Sequence, residues 1–217
     1  VTDDLLEGTF AASSVATSED GATFVLGAPQ EKAIYIFEAP TILPTGVPGY
    51  TQVHKITSIV PDFGWSVSID SAGNNILVGA PGWSDDRGLA ILYTKGVDWV
   101  SSTSQSFIAA STKSKPQTIN LKGHRFGHSV DISPDGNFIF IGSPYYTNNQ
   151  NVPGRNSGAV FRYSGVGYST ENIIIPSDAQ QQDYFGWSID SYQDGSYFVV
   201  GAPDGDVNGI KSGYAFV

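Results

Sequence analysis

The chain has 217 residues, a formal net charge of −10 and only 15% charged residues. An acidic surface repels a phosphate backbone, which argues against nucleic acid as a partner. Cysteine is absent, which removes disulfides and thiolate metal sites, and no apolar run approaches the roughly 18 residues that would suggest a membrane span.

In chain order the first element is Leu5-Leu6-Glu7-Gly8, which precedes Phe10 much as Ile119 to Gly123 precedes Phe126. Residues 1–8 therefore read as an unattached latching strand. Four similar segments follow: Phe10 to Pro29, Phe63 to Pro81, Phe126 to Pro144 and Phe185 to Pro203, whose starts lie 53, 63 and 59 residues apart. Each holds two strands and is followed by a third, at Ala33 to Phe37, Leu89 to Tyr93, Ala159 to Tyr163 and Tyr214 to Val217. Fourth strands are expected around Val53 to Thr57, Thr118 to Leu121 and Asn172 to Ile175. Four strands per roughly 50–60 residues is the spacing of propeller blades. The expectation is an all-β propeller domain over 1–217, with repeats near 10–57, 63–121, 126–175 and 185–217. It forms either a closed four-bladed ring or part of a larger one. Because the sequence starts at Val1 and contains no Met, a processed chain or a portion of a longer one is expected.

The residue types suit such blades. In the second repeat Trp65, Val67 and Ile69 alternate with Ser66, Ser68 and Asp70, the period of two of a strand. The second strands, Ile76 to Val78, Phe138 to Ile141 and Phe198 to Val200, are continuous apolar runs, as expected of strands covered on both faces. Each ends in a glycine, Gly27, Gly79, Gly142 or Gly201, where a missing side chain admits a close backbone neighbour. The proline two residues later has no N–H with which to extend pairing.

These Phe-Gly and Gly-Ala-Pro elements, with the Ser-Gly pairs at Ser157 and Ser212, resemble the FG-GAP repeats of the propeller at the head of integrin α subunits. The resemblance covers essentially the whole chain, the first repeat departing from it with Phe10-Ala11. It implies a β-propeller whose usual role is extracellular recognition or adhesion. The calcium loop of many such repeats is missing. The turns Ser18-Glu19-Asp20-Gly21, Ser71-Ala72-Gly73-Asn74, Ser133-Pro134-Asp135-Gly136 and Tyr192-Gln193-Asp194-Gly195 lack a carboxylate ladder able to supply about six or seven oxygen ligands.

One candidate metal loop remains. Asp204, Asp206 and Asn208 followed by Gly209 match the start of a calcium loop, but the closing position holds Ala215 instead of Glu. Calcium there is the one candidate cofactor. His124 and His128 have the four-residue spacing of zinc ligands, but they lie on a loop entering a strand. His128 also occupies the repeat position of Trp65 and Trp187, which points to packing. Asp85-Asp86 and Asp3-Asp4 are adjacent acids without a nucleophile or an orienting base, so no enzymatic activity is expected.

The insertions Glu38 to Tyr50, Lys95 to Lys115 and Tyr145 to Asn156 differ between repeats, and recognition usually resides in such loops. Aromatics are enriched at binding hot spots, which makes Trp83, Trp99, Tyr145, Tyr146 and Tyr168 candidate contacts. The expected role is a binding or adhesion module for a protein or glycan, secreted or on a cell or particle surface. The alternatives are a self-assembling structural subunit of a shell, filament or coat, and a non-catalytic accessory domain of a larger enzyme.

Overall fold

A computed structural model describes residues 12–42, 48–109, 122–147, 156–205 and 213–217. They form four antiparallel sheets in which each strand pairs with the next in sequence. The first sheet is β1 (Ser14–Thr17), β2 (Thr23–Ala28), β3 (Ala33–Ile42) and β4 (Pro48–Thr57). The second is β5 (Ser66–Ile69), β6 (Asn75–Ala80), β7 (Leu89–Thr94) and β8 (Thr103–Phe107). The third is β9 (Ser129–Ile132), β10 (Ile139–Ser143), β11 (Ala159–Ser164) and β12 (Thr170–Ile174). The fourth holds β13 (Ser188–Ser191), β14 (Phe198–Ala202) and β15 (Tyr214–Phe216). This is the expected all-β propeller arrangement of blades.

The blades pack face to face in chain order. Val25, Ile36, Phe63, Ile76 and Val78 join the first to the second. Leu77, Phe107, Phe126, Ile141 and Phe161 join the second to the third. Phe140, Val160, Phe185 and Val200 join the third to the fourth. Phe63, Phe126 and Phe185 are fully buried, and each ring removed from water contributes about 1.5–3 kcal/mol. Successive residues of β6 and β10 thus serve opposite neighbours, which explains their unbroken apolar sequences.

A repeated polar joint holds the inner strands in register. Ser66 Oγ donates to the Gly127 carbonyl at 3.0 Å, and Ser129 Oγ to the Gly186 carbonyl at 2.8 Å. Only glycine fits opposite these carbonyls: a Cβ on Gly79 would stand 2.0 Å from the Gly127 oxygen. The tight turns form a second chain of contacts. Glu19 N–H donates to Ser71 O, Ser71 N–H to Pro134 O, and Asp135 N–H to Gln193 O. Asp20, Asp135 and Asp194 fold back on backbone N–H groups two residues later, so these carboxylates close turns.

Both series run from blade one to blade four and stop there among the described residues. β1 packs beside β5, β5 beside β9 and β9 beside β13, while no comparable packing joins β13 to β1. The outer flank of the fourth blade is correspondingly open. Val199 and Tyr197 are 43% and 68% exposed, whereas every residue of β10 is buried.

Three expectations require correction. The fourth strand of the second blade is β8, not Thr118 to Leu121, which fall outside the described residues. Four of its five residues, TSQSF, are exposed, so no apolar alternation marked it. The segment Glu38 to Tyr50 is not simply a loop, because β3 and β4 extend into it. In the first repeat the cross-strand pair Ser14–Gly27 corresponds to Ser66–Gly79. That register puts Ser13 in the place of Trp65 and offsets Phe10 by one residue from Phe63. Phe10 and the latching segment 1–8 lie outside the described residues.

Candidate functional site

Each inner strand begins at the same end of the molecule, where Trp65, His128 and Trp187 immediately precede β5, β9 and β13. Asp62, Arg125 and Tyr184 precede the buried phenylalanines and share left-handed backbone, with φ of 57°, 53° and 56°. Tyr145 enters from the loop after β10. Side chains from three blades thereby meet in one strip.

The strip is continuous. The Arg125 guanidinium lies over the Trp65 ring at 5.4 Å and over the Tyr145 ring at 5.8 Å, distances at which the ring quadrupole attracts a cation. Tyr145 meets Tyr184 at 5.2 Å, Tyr184 meets Trp187 at 6.1 Å, and Tyr145 meets Trp187 at 6.5 Å. The three rings are steeply inclined to one another, by 64°, 74° and 46°. His128 is wedged between Trp65 and Trp187, with ring centroids at 5.8 and 4.6 Å.

Electrostatically the strip is close to neutral. Asp62 faces Arg125 at 3.6 Å. Burial, reinforced by the Arg125 charge, holds His128 below the ordinary histidine range, so its imidazole is uncharged at neutral pH. Trp187 remains 41% exposed and Tyr145 and Tyr184 are half-buried. No described residue hydrogen-bonds either phenol hydroxyl.

Of the five aromatics offered as contacts from sequence, only Tyr145 belongs to this strip. Trp99 is 2% exposed; its Nε1 donates to Glu38 at 3.2 Å, and it packs in the core between the first two blades. Tyr146 is 7% exposed and stands edge-on to Phe161. Neither is available to a ligand, because the blades need these rings as packing. Trp83 is half-buried against the same core as Trp99, and Tyr168 packs on Phe107 while donating its hydroxyl to the Gly136 carbonyl. Sequence reasoning missed Trp65, Arg125, Tyr184 and Trp187 as surface groups. The Trp65 and Trp187 position after Phe-Gly was read as packing, while Arg125 and Tyr184, just before the phenylalanines, carried no pattern that marked them.

The metal candidates are less informative. Asp204 is half-buried, and Asp206 and Asn208 lie outside the described residues. Among the described residues, no three His, Asp or Glu side chains converge as a metal site would require. His124 instead packs on Tyr146, and burial lowers it to about 4.

A second polar cluster lies along the axis, where Val15, Val67, Val130 and Ile189 border a shared space with Asp131 and Asp190. Asp131 links three blades: Ser68 Oγ donates to its Oδ1 at 3.1 Å, and Ser191 Oγ donates to its Oδ2. Burial pushes its carboxyl up to about 6, with the two serines opposing and Asp190 assisting.

Comparison with known proteins agrees with this geometry. Residues 168–217 match the FG-GAP repeat family. The fourth blade is an FG-GAP repeat. Its Ser188–Gly201 pair and its buried phenylalanine recur in the second and third blades as Ser66–Gly79 with Phe63 and Ser129–Gly142 with Phe126. Hydrazine synthase from Kuenenia stuttgartiensis has a similar fold, with a TM-score of 0.54 and 11% identity, over 93% of this chain and 45% of that one. The chain therefore spans less than half the length of that neighbour, and the likeness concerns the fold alone. No curated protein matches it in sequence. Among the described residues no helix is long and apolar enough to cross a membrane. One FG-GAP repeat within a propeller-like fold suggests a binding or structural module.

Proposed function

We propose that this chain is an extracellular recognition module, secreted or displayed on a cell or particle surface, that engages a protein or glycan at the mouth carrying the aromatic strip. The supporting observation is the convergence of Trp65, Arg125, Tyr145, Tyr184 and Trp187 from three blades onto one partly exposed face. Aromatic rings locked by mutual edge-to-face contact lose little freedom on binding, and they sit on a rigid sheet scaffold. The chain performs no catalysis in this reading and needs no cofactor, calcium at the Asp204 segment being the single candidate. The test is binding of the labelled chain to intact cells and extracellular matrix. Replacing Tyr184 and Trp187 together by Ala is expected to reduce binding at least about tenfold, a loss of about 1.4 kcal/mol. Undiminished binding would remove this face from the function.

A second reading, self-assembly as a structural subunit, is favoured by the open flanks. Val15 on the first blade and Tyr197 and Val199 on the fourth are 67%, 68% and 43% exposed, and solvated apolar side chains grouped on a blade flank are candidates for association. Sedimentation distinguishes the two. Discrete multiples that dissociate in Val199→Lys support assembly; a monomer throughout removes it.

A further inference from the structure

The three rings Tyr145, Tyr184 and Trp187 do more than offer an apolar surface. Trp187 exposes part of an indole, and beside it stand the phenol hydroxyls of Tyr145 and Tyr184, to which no described residue hydrogen-bonds. Arg125, held by Asp62, presents a planar set of N–H donors at the edge of the same strip. This combination suits a ligand with one apolar face and a rim of hydroxyls. A pyranose ring has that construction: its axial C–H groups cover an aromatic face, and its equatorial hydroxyls meet planar polar side chains at the edge.

Charge narrows the class. Asp62 offsets Arg125, His128 is neutral, and the chain as a whole carries −10. An anionic ligand would approach against that field without gaining a free cation, whereas a neutral one pays no such penalty. Size narrows it too. Three rings spaced 5.2 to 6.5 Å apart match one or two sugar rings. They fall well short of the roughly 800 Å² per partner of a typical stable protein interface.

We propose that the strip formed by Tyr145, Tyr184 and Trp187, with Arg125 at its edge, is a binding site for a neutral saccharide, one sugar ring stacking on the Trp187 indole. This rests on the recognition reading above and specifies its ligand.

The probes are oligosaccharides of neutral hexoses and N-acetylhexosamines, arrayed beside sialylated and sulfated ones, with indole fluorescence as an independent readout. A neutral oligosaccharide is expected to bind with a dissociation constant in about the micromolar to millimolar range and to shift the Trp emission. Trp187→Ala should weaken it at least about tenfold and abolish most of the emission change. Tyr184→Phe, which keeps the ring and removes one hydroxyl, should weaken it by a smaller factor of about three to ten. Thermal melts of both variants, expected to stay close to the parent because Trp187 is partly exposed, separate lost contact from lost fold. Three results would overturn the proposal. They are no neutral saccharide bound at about 10 mM, binding confined to charged glycans, and neutral-sugar binding that survives Trp187→Ala. If sugars fail while Tyr184→Ala/Trp187→Ala still abolishes attachment to cells, the face remains a recognition surface and the ligand is a protein. Loss of neither sinks both readings.

Discussion

Asp131 shows how one side chain is shaped by three blades. It is held at about 6 by burial, while Ser68 and Ser191 donate to its two oxygens. A folded-state value above the ordinary 3.8 of an aspartate means that the folded form holds its proton more tightly than the unfolded chain. Stability from this group is therefore greatest below about pH 4 and is lost as pH rises to about 6. His124, lowered from 6.5 to about 4 by burial, works the other way and loses stability as pH falls through the same window. The two opposing slopes are separated by Asp131→Asn, which keeps the side-chain shape without a titrating group and keeps both contacts if one serine hydroxyl turns to accept from the amide Nδ2. The variant is expected to gain stability relative to the parent between pH 4 and 7, by up to about 3 kcal/mol for a two-unit shift. Denaturant melts at several pH values check this, and a constant difference between variant and parent across the window would contradict it.

Among the elements, β8 is the clearest case of a strand specified by its surroundings. Only Phe107 of its five residues is buried. That ring meets Tyr163 at 4.9 Å and Tyr168 at 6.1 Å, and Gln105 Nε2 donates to the Gly167 carbonyl at 3.0 Å, so the outer edge of the second blade is fastened to the third by one buried ring and one exposed hydrogen bond. Phe107→Ala is expected to cost about 3–5 kcal/mol, whereas Ser104→Ala or Ser106→Ala should stay within about 0.5 kcal/mol. Urea titration of the three variants tests the contrast, and equal effects would show that the strand is held by its pairing with β7 instead. Candidate residues in the insertions sort the same way. Trp99 and Tyr146 were read as contacts because they are large aromatics in variable segments, yet each is a packing residue of a blade junction. A one-dimensional pattern does not tell an aromatic pointing into a junction from one pointing out of it.

At the scale of the molecule, the joints between blades run in one direction and end at the fourth. Ser14, Ser66 and Ser129 each donate to a carbonyl of the next blade. Ser188, which pairs with Gly201 as they pair with their own glycines, finds no such carbonyl among the described residues. An uncovered flank predicts a gradient of local stability. Backbone amides of β14 should exchange with solvent faster than those of β6 and β10 by at least about tenfold, following their smaller burial. Hydrogen exchange on the isolated chain measures this directly. Equal protection in all blades would mean that something, a second copy or the ends of the chain, covers the fourth in solution.

The repeats themselves were legible because their physics is local. Phe-Gly, the period of two in β5, the apolar runs of β6 and β10 and the terminal glycines each state a strand, its covered faces and its close neighbour within about twenty residues. The sequence by itself thus determined the blade, the number of copies and the absence of an intact calcium ladder in the turns. Only the tertiary structure decided which aromatics reach the surface. Trp65, Arg125, His128, Tyr145, Tyr184 and Trp187 lie on three blades and across more than a hundred residues of chain. They become neighbours because left-handed backbone at Arg125 and Tyr184 turns their side chains toward one mouth. That convergence arises from packing blade on blade, and no single repeat contains the information for it.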